Sequence, residues 1–193
     1  MDFLVKELDI NFSFAEVEQY FENVENNFNH LRWTSELKEE TSGYQKHSID
    51  GVYGWGIQSN LDDLTVPCPP YNVAKNGTDD YRDTALVFGF AKKIRTRLPY
   101  SRQLSIAAHP PGTKINLHKD SDTYMKVHIP IRTNDSAYFN FENENVVLQS
   151  GKIYLVKTNM LHGTSNEGDN YRTHLFFKIP ADKVNEIIEM KTL

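Results

Sequence analysis

Residues 124–131 read Tyr-Met-Lys-Val-His-Ile-Pro-Ile, and their alternation decides the fold class. Met125, Val127, Ile129 and Ile131 fall on one face of an extended chain, with Tyr124, Lys126 and His128 on the other. The first face is built for a core. The second carries a lysine and a histidine, which suits the inner wall of a barrel that holds a polar ligand. Seven more short extended runs flank this one, at 103–109, 114–118, 137–141, 146–148, 152–157, 161–165 and 171–179. Turn signals divide them, among them Pro110-Pro111-Gly112, Glu142-Asn143-Glu144-Asn145 and Gln149-Ser150-Gly151. Many short strands at close spacing predict a sandwich or barrel, and eight suit a jelly roll. The expected fold is therefore mainly β, a double-stranded β-helix (jelly roll, cupin-like) core with flanking α-helices.

Two residues just upstream carry chemistry. His118 and Asp120 stand two apart in His118-Lys119-Asp120, and positions i and i+2 of a strand project from the same face. A second imidazole, His162, arrives from far along the chain. Two histidines and one carboxylate on one side of a metal form the facial triad of non-haem Fe(II) oxygenases, with open positions opposite. Arg172 follows His162 by ten residues, enough to leave one strand, turn through 166–170 and return on the next. A guanidinium there can clasp a carboxylate through two parallel hydrogen bonds. Taken singly, His118 reads as a surface residue at a strand end, Asp120 as a turn acid and His162 as a loop histidine; it is their convergence with Arg172 that points to a metal.

From about Ser105 to Ile179 the chain resembles the aspartyl/asparaginyl β-hydroxylase family of Fe(II)/2-oxoglutarate oxygenases, which includes small proline hydroxylases. The resemblance is carried by Pro111-Gly112-Thr113, His118-Lys119-Asp120, Val127-His128-Ile129-Pro130, the Gly151 turn, His162 and Arg172. It implies that His118, Asp120 and His162 bind iron, with dioxygen and 2-oxoglutarate as co-substrates. It further implies that Arg172 pairs with the distal carboxylate of 2-oxoglutarate, that His128 contacts the same molecule, and that Ser105 matches a serine used for that carboxylate. The activity it implies is hydroxylation of an aspartyl, asparaginyl or prolyl residue or a free amino acid, with 2-oxoglutarate decarboxylated to succinate. Lys126 either lines the pocket and assists the carboxylate or turns to solvent. His174 is either hydrogen-bonded to a ligand or a satisfied core histidine, and His109, before a proline-rich turn, is given no role. Two rival classes stay open on the residues alone: a cupin-like metalloenzyme that ignores 2-oxoglutarate, and a non-catalytic jelly-roll module.

The rest of the chain bounds the partners. A formal charge of −5 and a pI near 5.8 argue against nucleic-acid or anionic-membrane surfaces, which need basic faces. The expected partner is a small-molecule or peptide substrate. One cysteine, Cys68, excludes an internal disulfide and fits a reducing compartment; between prolines it reads as a loop thiol. Residues 1–10 carry acids and no long apolar run, unlike a secretory signal, so the location expected is cytoplasmic and the Asn76-Gly77-Thr78 sequon idle. A single domain is expected: an N-terminal helical and loop region over 1–100, the core over 101–180, and a C-terminal helix over 181–193. Ser13 with Glu16 makes a capping box ahead of a helix over 14–31. A second helix is predicted over 80–98, its last turns gathering Lys92, Lys93, Arg95 and Arg97 at the negative end of the dipole. Residues 34–76 read as loop that folds over the barrel mouth, where Trp55 either fills a hydrophobic corner or faces substrate.

Overall fold

The computed structural model describes residues 3–35, 51–71 and 80–193. The sequon and residues 36–50 and 72–76 of the expected mouth-covering stretch lie outside them. Within them, the chain runs through β1 (Val5–Glu7), α1 (Phe14–Asn27), β2 (Trp33–Thr34), β3 (Tyr53–Gly56), β4 (Gln58–Ser59), β5 (Arg82–Asp83) and α2 (Gly89–Arg97) before the core. The core strands are β6 (Arg102–His109), β7 (Lys114–His118), β8 (Tyr124–Arg132), β9 (Ala137–Phe141), β10 (Asn145–Val147), β11 (Tyr154–Val156), β12 (His162–Asn166) and β13 (Arg172–Pro180), followed by α3 (Val184–Glu189). All eight extended runs are strands.

They divide between two antiparallel sheets in the order of a jelly roll: β11-β8-β13-β6 in one and β10-β9-β12-β7 in the other. The larger sheet is extended by β1 beside β11 and by β3 and β2 beside β6. Alternation then makes two cores. Val127, Ile129, Leu175, Phe177, Leu104 and Ile106 face away from the barrel and pack against Val17, Phe21 and Val24 of α1, Phe90 and Ile94 of α2, and Val184 and Ile187 of α3. The barrel interior has a smaller apolar plug of Phe139, Phe141, Leu148, Tyr154 and Val156. The remaining interior carries the buried polar side chains Ser105, His109, His128, Arg172 and His174, with Phe176 among them.

The helices follow local chemistry. Glu16 N–H donates to Ser13 Oγ at 3.3 Å, the expected N-cap, and α1 ends at Asn27, with a 3-10 turn over Asn29–Leu31 completing the predicted span. The helix expected over 80–98 is shorter. It begins at Gly89, because Arg82 and Asp83 pair with Ser59 and Gln58, and Thr84 Oγ1 donates to Ile57 O at 2.8 Å while accepting from Leu86 N–H. A threonine that bonds its own turn competes with the helix ladder. At the other end, Arg95 Nη1 donates to the carbonyls of Pro99 and Ser101, holding the turn that leads from α2 into β6. The C-terminal helix over 181–193 resolves into a 3-10 turn, Ala181–Lys183, and then α3.

Within 34–76, the described stretch 51–71 is also less loop-like than its composition predicts. β3 pairs with β6, and a Cβ at Gly54 would lie 2.2 Å from Ile106 O, so only glycine permits the approach. Trp55 is fully buried, edge-on to Phe21 and Tyr53, with Nε1 donating to Phe28 O at 3.1 Å. It fills the hydrophobic corner and does not face substrate. Gln58 likewise works within the fold, between Asp83 and the Leu104 N–H. Cys68 is buried. Among the described residues, no helix is long and apolar enough to cross a membrane. Trp55→Ala is expected to lower unfolding free energy by about 3–5 kcal/mol, as for large buried aromatics, read as a drop in the denaturant midpoint. Metal affinity of the folded fraction should be unchanged.

Candidate metal centre and the polar interior

His118 closes β7 and His162 opens β12, and the antiparallel pairing of those strands sets the two residues opposite one another. Asp120 lies beyond the end of β7 rather than in the strand, so strand alternation is not what aims it. Its N–H donates to Thr158 O at 2.9 Å, tying the segment after β7 to the one before β12. The ligand atoms of the three lie within 4.8 Å of one another. Nε2 of His118 is 3.8 Å from Asp120 Oδ1, and Nε2 of His162 is 3.9 Å from Oδ2.

The two imidazoles are held alike. Nδ1 of His118 meets Asn116 O at 2.8 Å, and Nδ1 of His162 meets Met160 O at 2.9 Å, each a carbonyl two residues back. A carbonyl only accepts, so each Nδ1 carries the proton and each Nε2 keeps its lone pair toward the centre. That is the tautomer a metal ligand needs. Lys126 Nζ sits 2.6 Å from Asp120 Oδ2. Burial works against ionisation of Asp120, but Lys126, His162 and His118 together outweigh it and hold the pKa down to about 2. Burial pushes His162 down to about 4, against the pull of its Met160 carbonyl. The cluster sets two imidazole Nε2 atoms beside one carboxylate, and a divalent first-row ion fits that donor set.

Behind the cluster, the polar interior continues along the larger sheet in steps set by register. His128 is opposite Phe176, which is opposite Ser105 on its other side; His174 is opposite Pro130 and Ala107; Arg172 is opposite His109. β13 thus returns in the facing sheet rather than beside β12. Its turn is held by Asn166, whose Nδ2 donates to His109 O at 3.0 Å and Asn170 O at 2.8 Å. Arg172 is buried, its Cζ 4.9 Å from the Phe139 ring centre and its Nη1 3.4 Å from His109 Nδ1. Among the described residues no carboxylate reaches it. Burial lowers its pKa to about 10, so it stays charged at neutral pH. Arg172 Nη2, Ser105 Oγ, His128 Nε2 and His174 Nε2 are all buried without a hydrogen-bond partner. Unpaired polar atoms in such number are costly, and together with an uncompensated guanidinium they fit a bound carboxylate ligand.

His118, Asp120 and His162 come together; Lys126 touches Asp120 and therefore lines the interior rather than turning to solvent. Ser105 faces the interior on the level of His128, four residues along β6 from His109, which is opposite Arg172. His174 packs against His128, their Nδ1 atoms 3.5 Å apart, rather than against any of the three candidate ligands. His109, given no role from sequence, adjoins Arg172, and Tyr71 reaches it from the N-terminal region. The alternation that put Ser105 inward also puts His109 inward. No local signal marks Tyr71.

A jelly roll carrying two histidines and a carboxylate at the end of its second strand and the start of its seventh defines a class, and comparison with known proteins narrows it. The model of the aspartyl/asparaginyl β-hydroxylase family matches residues 78–181, just over half of the chain, and the chain belongs to that family. It is accordingly an oxygenase of the hydroxylase type. Among solved structures, a prolyl-4-hydroxylase from Pseudomonas putida is similar over 93% of each chain, at 9% identity and a TM-score of 0.53, which shows a shared fold. A 2OG-Fe(II) oxygenase family oxidoreductase from Burkholderia pseudomallei aligns over 90% of this chain and 94% of its own, at 14% identity and a TM-score of 0.46. None of the curated protein sequences matches the chain.

Burial holds His128 and His174 neutral, their pKa values well below the ordinary imidazole value. Unfolded, both take up a proton below about pH 6.5, so stability is full above that pH and falls as pH drops through it. In metal-free protein the denaturant midpoint should fall steadily between about pH 7 and 5, and His174→Gln should make the fall shallower. A midpoint flat over this range would contradict the buried neutral histidines.

Proposed function

We propose that the protein is an Fe(II)/2-oxoglutarate-dependent hydroxylase acting on an aspartyl, asparaginyl or prolyl residue or a free amino acid. The observation that carries this is Arg172: a buried guanidinium that no carboxylate among the described residues reaches, opening on the same interior as the histidine–aspartate cluster. A cupin-like metalloenzyme indifferent to 2-oxoglutarate has no use for it, and a non-catalytic module has no use for either feature. Family membership and the fold shared with a prolyl-4-hydroxylase point the same way.

In this reading His118, Asp120 and His162 hold the metal, with the Asn116 and Met160 carbonyls fixing both imidazoles as lone-pair donors. When bound, the iron would let dioxygen serve as the oxidant for both 2-oxoglutarate, which leaves as carbon dioxide and succinate carrying one oxygen atom, and a substrate carbon, which takes the other oxygen atom as hydroxyl. The chain's own residues do the rest. Arg172 binds the distal carboxylate, and His128 and Ser105 offer polar atoms along the way to the cluster. Phe139 lies under Arg172 and edge-on to His128, Phe176 stacks on His128, and together the two rings keep water from this end. Lys126 keeps Asp120 ionised until the metal arrives.

Anaerobic addition of 2-oxoglutarate to Fe(II)-loaded protein should raise a weak visible absorption band that His162→Ala abolishes. Iron uptake without a band would overturn the 2-oxoglutarate reading. Arg172→Ala should retain metal affinity while weakening 2-oxoglutarate binding by about 30-fold or more, the loss expected when a buried charge pair is broken. Turnover of 2-oxoglutarate equal to the parent's would remove Arg172 from the site.

A further inference from the structure

We infer that Tyr71 is a further binding residue for the distal carboxylate of the co-substrate, donating its phenolic hydrogen beside Arg172, and that His109 sets the direction of that bond. The inference rests on the function proposed above. Tyr71 lies outside the jelly-roll strands, yet its ring stacks on Phe176, with centroids 5.5 Å apart and planes at 17°, and Phe176 stacks in turn on His128. Its hydroxyl meets Nε2 of His109, whose Nδ1 is 3.4 Å from Arg172 Nη1.

The direction of this chain follows from donor chemistry. A guanidinium has five donors and no acceptor, so His109 Nδ1 accepts from Arg172. A neutral imidazole that accepts at Nδ1 carries its hydrogen on Nε2, and that hydrogen points at the Tyr71 oxygen. The phenol then accepts from His109 and its own hydrogen is left to give. Burial pushes the phenol well up, so it keeps that hydrogen at neutral pH. Tyr71 and Arg172 lie close enough to act on each other's ionisation, and Arg172 Nη2 is likewise left to give. A carboxylate has two oxygens and about four acceptor sites, more than one guanidinium edge fills. The opposite direction, with Tyr71 donating to Nε2, would place the Nδ1 hydrogen against an Arg172 hydrogen. His109 is thus a positioning residue and Tyr71 a binding one.

Tyr71→Phe removes the hydroxyl and keeps the ring that stacks on Phe176. In anaerobic titrations of the Fe(II)-loaded full chain, it should weaken 2-oxoglutarate by about tenfold or more, the range for a hydrogen bond to a charged group. It should leave 2-oxobutyrate, which lacks the distal carboxylate, unchanged. An equal loss for both acids, or no loss for either, overturns the assignment while the parent's own band keeps the function standing. A parent that binds neither acid takes both readings down. In the unmutated protein, nitrogen-15 NMR of His109 should report hydrogen on Nε2 and none on Nδ1, and the reverse pattern also overturns it.

Discussion

The pairing of β12 with β7 is the constraint on which the centre depends. It sets His162 opposite His118 across 44 positions of chain, and it does so in a sheet whose other strands have no metal-type residues facing the cluster. Every further element of the site is referred to that pair. Asp120 is aimed by the Thr158 carbonyl just upstream of β12, and the segment that follows β12 must then cross to the facing sheet, which puts Arg172 at the far end of the interior. A slip of one residue in the β7–β12 ladder would turn His162 outward and disturb the Asp120–Thr158 hydrogen bond as well. The register is defended by side chains that have nowhere else to go: Phe139 and Phe141 on β9, which pairs with the other edge of β12, are buried in the apolar plug between the sheets.

The interior carries a stability cost that the rest of the fold offsets. Ser105, His128, His174 and Arg172 hold polar atoms away from water without partners, and each such group is destabilising by about 1–3 kcal/mol. The compensation lies on the other face of the same strands, where Leu104, Ile106, Val127, Ile129, Leu175 and Phe177 pack under three helices. Strand alternation makes this separation possible, because a side chain given to the polar interior takes nothing from the core behind it. Helices α1 and α2 are therefore more than a cover for the barrel.

Much of this was legible in the sequence, for identifiable reasons. The eight core strands announce themselves because period-2 alternation and turn residues agree, and the Ser13–Glu16 cap is a local signal that needs no tertiary context. The segment 80–88 was misread because its apolar residues Tyr81 and Leu86 sit within a helix-like run, while what prevents helix there is pairing with Gln58 and Ser59, some 24 residues away. β3 was missed because Gly54 and Gly56 lower strand propensity, although glycine is what permits close approach to β6 and to Cys68. Of the candidate site, the ligands and Arg172 were marked by spacing. Aspartate reached the cluster by a loop hydrogen bond rather than by strand geometry, and the contact of Tyr71 with His109 belongs to no local pattern at all.

The ion pair between Lys126 and Asp120 has an electrical consequence for loading the centre. With Asp120 paired to Lys126, Arg172 is the interior cation that no carboxylate among the described residues offsets. In the reading proposed above, a divalent cation would meet two imidazoles and an aspartate already engaged by Lys126, and would add two positive charges to the interior. Such a charge is poorly tolerated between two sheets, where water is excluded and screening is weak. A doubly charged anion relieves it. Under the proposed function, cation and dianion would then be mutually reinforcing occupants, each bound more firmly in the presence of the other than alone.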